Sequence, residues 1–410
     1  MRIASQWCGA TKTILGHAAR GFTWPTRAII VQRRSRWLFL LALGSGLAVA
    51  AVYSHQTLSE LPFGLVDDDR TGLTRTLDLS LDAAPELALV RDLPDLDAAT
   101  AAVRRGELAG ALWLPPGFTG DLKRGDAARA VLLVDGRNIL LSKTAQRSAE
   151  TVLATIGVGV EMTVARRTGL GPEAALGRAA PIALDLDRPA NPRGSYAVYL
   201  APVLLLFNAH IFCLLFAAFL LAPPTPERPG SRVHPPLDHP VARGAALVGA
   251  LVPAALLLAL LLGVALPHLD LAVHGAPTPL VAFGLAFLAL SLLEAAALRA
   301  VVPSPAMATQ VTGVLGALSL MLSGATFTID MFPEPLRLVA AALPLTPAAH
   351  ALRENVAAAQ AGPIAAADWS ALAHQAALIG IVLAVGLLAR AALRGLRTLS
   401  ARAHHAGATR

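Results

Sequence analysis

Six apolar runs, separated unevenly, constrain this chain more than any other feature. The first is Trp37–Tyr53, and a long, mostly polar stretch follows it. Apolar runs then recur at Ala197–Ala222, Gly244–Leu266, Pro279–Leu298, Ala306–Gly324 and Leu372–Leu393. A helix needs roughly 20 apolar residues to cross about 30 Å of hydrocarbon. Five runs reach or nearly reach that length, and Ala28–Val31 extends the first. The layout predicts an α-helical integral membrane protein with six transmembrane helices and an α/β extracytoplasmic domain inserted between helices 1 and 2.

Charge agrees with that reading. Of 410 residues, 55% are hydrophobic and 15% charged, with a mean hydropathy of +0.58; a soluble protein carries about a quarter charged residues. The net charge of +7 is gathered at the two ends. Residues 1–36 hold seven Lys/Arg and no acid, residues 390–410 hold five Arg and no acid, and residues 54–195 hold 19 acids against 16 bases. Basic clusters beside spans set topology and touch anionic membrane lipid, so this balance does not argue for nucleic acid. The same rule places both termini in the cytoplasm and residues 54–195 outside. Arg228, Arg232 and Arg243 fall on one inner loop and Arg299 on the next, whereas the outer turn 268–278 has no Lys or Arg. Thirty-six residues before the first run are long for a signal peptide, which favours an uncleaved anchor. The cysteines are Cys8 and Cys213 alone, so the external domain must be stable without disulfides.

The domain boundaries expected are these: a cytoplasmic amphipathic segment 1–36, helix 1 at 37–53, the extracytoplasmic domain 54–195, helix 2 at 196–222 and a Pro-rich cytoplasmic loop 223–243. Helices 3–6 occupy 244–393, with outer re-entrant or interfacial helices near 330–370, and a basic tail 394–410 closes the chain. Residues 10–31 are expected along the inner membrane face, ended by Trp24-Pro25. In the external domain, Phe63–Asp67, Leu87–Arg91, Leu108–Leu114, Ala130–Asp135 and Ile182–Leu186 are strand candidates. Helices are expected at 71–81, at 98–105 capped by Asp97, and at 116–123, followed by one long helix over 138–167. Alternation of this kind argues for a small α/β domain with some parallel pairing. Seven prolines in residues 223–240 leave the inner loop extended.

Few motifs carry chemistry. The string Gly136–Thr144 is one residue too long for a P-loop and lacks its second glycine. Asp67-Asp68-Asp69 reads as a solvated turn capping the next helix in preference to a cation site. His234, His239, His404 and His405 lack partners at metal-ligand spacing. Polar groups inside spans face a protein interior or cavity, which makes Asn208, His210, Gln310 and Glu294 candidates for a translocation path or helix interface. Asn208 and His210 are two residues apart and must point to different faces; Glu294 is expected to pair with Arg299. After Leu322, short Pro-bounded helices, none long enough to cross, form an outer re-entrant motif.

Three segments then carry a resemblance. Leu65-Val66-Asp67-Asp68-Asp69-Arg70-Thr71-Gly72-Leu73-Thr74-Arg75 resembles the V-D-x-D opening of ABC-2 type exporter permeases that have a large external domain. Gly110–Phe118 with Val134-Asp135 resembles their second external segment. Gly324 after Ser323, with Pro333, Pro344, Pro347 and Arg353, is similar to their closing stretch. The resemblance implies a permease subunit moving a hydrophobic or amphiphilic substrate outward across a bacterial inner membrane. It further implies a separate ABC ATPase holding ATP and Mg, a second permease (a homo- or heterodimer) and a periplasmic adaptor, with no cofactor or catalytic residue in this chain. Coupling to the ATPase falls to Glu227, Arg228, Arg232, Arg243 and Arg299. Here the family's usual E-x-x-x-G-T-type segment is replaced by Glu227-Arg228-Pro229-Gly230-Ser231-Arg232, which implies an unlike permease pair. The competing reading is a membrane-anchored binding or assembly protein whose external domain recognises a partner, without transport.

Overall fold

The computed structural model describes residues 2–54, 59–124, 126–137, 139–179, 195–222, 237, 239–271, 273, 277–302, 304–357 and 363–408. The chain divides into two compact units, residues 57–187 and the remainder. It is a mostly helical membrane protein with one small sheet. The expected strand Ile182–Leu186 lies outside the described residues.

The chain opens with helix α1 (Arg2–Val31) and helix α2 (Arg33–Val52). Pro25 does not end α1, contrary to expectation. Proline inside a helix costs about 3 kcal/mol through a lost bond and a clash with the carbonyl four residues back. Here Trp24 and Ala28 on either side are buried, and that packing carries the helix through. It stops at Val31, where Gln32 in an extended conformation begins α2.

The α/β unit runs β1 (Leu61–Asp67), α3 (Gly72–Asp82), β2 (Leu87–Val90), α4 (Leu96–Arg105), β3 (Gly110–Leu114), α5 (Phe118–Arg124), β4 (Val131–Val134), α6 (Ile139–Arg167) and α7 (Pro172–Ala179). The sheet order is β2-β1-β3-β4; β1 pairs parallel with β2 and β3, and β3 pairs antiparallel with β4. Side chains alternate across a strand, and the two faces carry separate cores. Phe63, Leu65, Leu112 and Leu114 pack with Leu77 and Leu81 of α3 and Ala145 and Ala149 of α6. Val66 and Ala111 pack with Ala99, Ala102 and Val103 of α4. Asp95, not Asp97, caps α4, its Oδ1 accepting from the Ala98 N–H at 2.7 Å. Helix α6 runs through Gly157 and Gly159 without a break.

The second unit continues with α8 (Tyr196–Leu220), α9 (Pro240–Gly249), α10 (Leu251–His268), α11 (Pro277–Val301) and α12 (Pro305–Leu322). A 3-10 turn at Ile329–Met331 leads to α13 (Glu334–Ala342), α14 (Leu345–Ala357) and α15 (Ala366–Ala408). Among the described residues seven helices are long and apolar enough to cross a membrane: α2, α6, α8, the α9–α10 pair, α11, α12 and α15. The seventh, α6, was not expected. It belongs to the α/β unit, where Ala145 and Ala149 cover the sheet.

Helix α8 is apolar all round, as a buried helix should be, and packs against α2, α10, α11, α12 and α14. Without a hydrophobic drive in lipid, small residues that let backbones approach hold helices together. A Cβ on Gly21 would lie 2.2 Å from the Ala242 carbonyl oxygen, and one on Gly249 would lie 2.0 Å from that of Phe22. Helices α1 and α9 are thus locked at two points, and His17 stacks on His239 with ring centroids 4.7 Å apart. Gly46 of α2 likewise admits Leu261 of α10.

Candidate functional site

The polar groups within the apolar helices form two networks. On one side of α8, Asn208 accepts a short hydrogen bond from the Ser45 hydroxyl of α2 and donates from Nδ2 to the Leu204 carbonyl at 2.9 Å. On the other side, His210 is fully buried. Its Nδ1 lies 2.8 Å from Ser291 Oγ on α11, and Ser291 donates to the Phe287 carbonyl at 2.9 Å. The ring stacks on Phe287 at 5.7 Å, and Nε2 faces Glu294 Oε2 across 3.9 Å. Asn208 and His210 therefore point apart, as their spacing requires. Gln310 sits on the exposed face of α12 and joins neither network.

Glu294 does not pair with Arg299. Five residues turn a helix by about 500°, leaving the two side chains roughly 140° apart around its axis. Arg299 instead reaches the Val302 carbonyl at 3.4 Å. Arg390 of α15 crosses to the same place, donating to the carbonyls of Val302 (2.6 Å) and Arg299. Arg243 donates from Nε to the Leu237 carbonyl at 2.7 Å. Arg243 and Arg390 both lie near enough to repel Arg299. Arg390 was legible only as part of a basic tail; its work as a clamp on the end of α11 has no local signal. Glu227, Arg228 and Arg232 lie outside the described residues.

The third group gathers the segment after α12. Gly324 has φ +79°, a left-handed conformation that glycine adopts at least cost. Its carbonyl accepts from Arg353 Nη1 at 3.2 Å and from the Tyr199 hydroxyl at 3.4 Å, and the Arg353 guanidinium lies 5.3 Å above the Tyr199 ring. Pro333 precedes the first turn of α13, Pro344 precedes α14, and Pro347 falls in the first turn of α14, where proline is tolerated. Gln375 of α15 donates to the carbonyls of Ala341 (2.8 Å) and Leu343 (3.0 Å), tying down the end of α13. Tyr199 and Gln375 carry no sequence signal for these roles.

In the α/β unit the three aspartates form a partly exposed bend, as expected of a solvated turn, but none of them caps α3. Thr71 and Thr74 cap α3 reciprocally. Asp67 Oδ1 accepts from the N–H groups of Asp69 (3.1 Å) and Arg70 (2.9 Å), and Asp68 accepts from Trp113 Nε1 at 2.7 Å. Asp69 accepts from the N–H groups of Gly117 (2.8 Å) and Thr119 (3.0 Å), holding the start of α5. Burial pushes the Asp69 carboxyl up, but its bonds to Thr119, Gly117 and Thr71 outweigh that and hold it below the usual range. Hydrogen bonds from Arg137 do the same for Asp135.

Residues 37–224 match the family described as ABC-2 family transporter protein. Over that stretch, a little under half of the chain, it is similar to ABC-2 family transporter proteins. No curated protein and no solved structure matches it. An ABC-2 protein of this kind is a multi-pass permease component of an ABC transporter, and the family implies an ATPase partner. The match takes in Asn208, His210, Tyr199 and the aspartate segment; Ser291, Glu294, Gly324 and Arg353 lie beyond it.

Proposed function

We propose that this chain is one transmembrane subunit of an ATP-driven exporter, of the subgroup with a large extracytoplasmic domain between its first two spans. The observation that carries this reading is the unbroken family match through the first span, the whole α/β unit and the second span. The protein lies in a bacterial inner membrane with both tails inside. ATP and Mg are held by a separate ATPase, and a second permease, alike or unlike, completes the pathway. The substrate is hydrophobic or amphiphilic, and the external domain docks a periplasmic adaptor.

Closure of the ATPase presses on the inner loops near Arg228, Arg232 and Arg243. The interlocked α1 and α9 support this route, because displacement of one backbone must move the other. The Arg390 clamp links the end of α11 to α15 in the same region. The test is reconstitution of the chain with its ATPase in phospholipid vesicles, with and without a candidate second permease. Substrate-stimulated ATP turnover and outward movement of substrate are expected. Failure of a tagged chain to capture any P-loop ATPase would sink the reading, and full turnover with this chain as the sole permease would exclude an unlike pair.

A further inference from the structure

The buried pair between α8 and α11 is incomplete in a way that counts protons. Ser291 has one hydroxyl hydrogen, and the Phe287 carbonyl 2.9 Å away takes it. In the 2.8 Å contact with His210, Ser291 Oγ must then accept and Nδ1–H must donate. A neutral imidazole with its hydrogen on Nδ1 presents a bare lone pair at Nε2. That lone pair faces Glu294 Oε2 at 3.9 Å, and neither atom has a hydrogen-bond partner among the described residues. His210 is 0% exposed and Glu294 5%. Two acceptors facing each other in a buried helix core, one carrying an unpaired charge, are a costly arrangement. A single proton between Nε2 and Oε2 removes the conflict and leaves the pair neutral. The atoms then need close by only about 1 Å to form an ordinary hydrogen bond.

We propose that His210 and Glu294 form a proton-binding site in the helix core, one proton held between Nε2 and Oε2 joining α8 to α11. The inference does not depend on the direction of transport or on the substrate. Other ionisable groups do not complete the pair. Helix α12 has none, α10 has only His268 at its last position, and α2 has only arginines in its first turn. On α14, His350 meets Asp368 of α15, Arg353 meets the Gly324 carbonyl and Glu354 is exposed. On α15, which packs against α11, His374 bonds the Ser370 carbonyl, Arg390 bonds the carbonyls at the end of α11, and Arg394 is exposed. Cys213 lies nearly one turn on along α8 and forms no bond to either group.

The experiment is thermal unfolding of the purified full chain in phospholipid nanodiscs, from mildly acidic to alkaline pH. The wild type is expected to lose several degrees as the shared proton leaves. In Glu294→Gln an amide N–H replaces the proton as donor to Nε2, so that loss disappears. Ser291→Ala frees the imidazole to carry its hydrogen on Nε2 and bridge the carboxylate directly, which likewise flattens the profile. Nitrogen NMR of isotope-labelled histidine should find the His210 hydrogen on Nδ1 in the wild type and on Nε2 in Ser291→Ala. A wild-type slope retained in both variants, or a hydrogen-free Nδ1 in the wild type, overturns the proposal. Should Glu294→Gln fail to fold, the Ser291→Ala profile and the NMR assignment decide alone.

Discussion

Arg353 makes two contacts: a charge-assisted bond to the Gly324 carbonyl and a cation–π contact with Tyr199. Hydrogen bonds to charged groups contribute about 1.5–3 kcal/mol. Arg353→Ala should therefore destabilise the full chain by that order, measured as a lowered unfolding midpoint in detergent micelles. Arg353→Lys should recover only part of it, since an ammonium lacks the planar fork. Asp69 and Asp135 make a prediction about pH. Both carboxyls sit below the usual carboxylate value of 3.8 in the folded state. Their contribution is fully present above the unfolded value and is lost as pH falls through the depressed folded values. The α/β unit should hold above about pH 4 and weaken in stronger acid. Asp69→Asn should cost stability near neutral pH and blunt the acid limb, as followed by Trp113 fluorescence.

Among the elements, α1 and α9 are the most tightly constrained pair. A side chain at position 21 has no room, because its Cβ alone would strike the Ala242 backbone. Gly21→Leu should detach α1, which limited trypsin digestion would report as new cleavage at Arg20 and Arg27. The same variant should uncouple ATP turnover from transport in the reconstituted complex while leaving the helices of the other spans intact by circular dichroism. Elements were legible where their cause is local. The strand candidates at 63–67, 87–91, 108–114 and 130–135 overlap all four strands, because short apolar runs between turns specify strands without distant help. The terminus expected at Pro25 was wrong because a local helix breaker was outweighed by burial of Trp24 and Ala28.

For the molecule as a whole, two compact units with separate cores predict separable folding. Residues 57–187 expressed alone should give a cooperatively melting α/β domain; a chain without a melting transition would refute this. Cysteine labelling in whole cells should place position 100 on the opposite face of the membrane from position 405, and position 150 with position 100. The last pairing requires that α6, despite its apolar length, stay with the α/β unit.

Spans, polar insert and charge asymmetry were written in the sequence, because the length of a crossing and the sign of its flanks are properties of contiguous residues. The aspartate segment was visible too, but its use was not. Asp69 serves a helix some fifty positions later, and that bond exists only once β1 and β3 lie side by side. His210 and Glu294 were both marked as polar groups in lipid-crossing helices, yet Glu294 was assigned the wrong partner. Which side chain a helical residue meets depends on how each helix is rotated about its axis against its neighbour. That rotation is set by close contacts spread along the whole seam, and no stretch of sequence contains it.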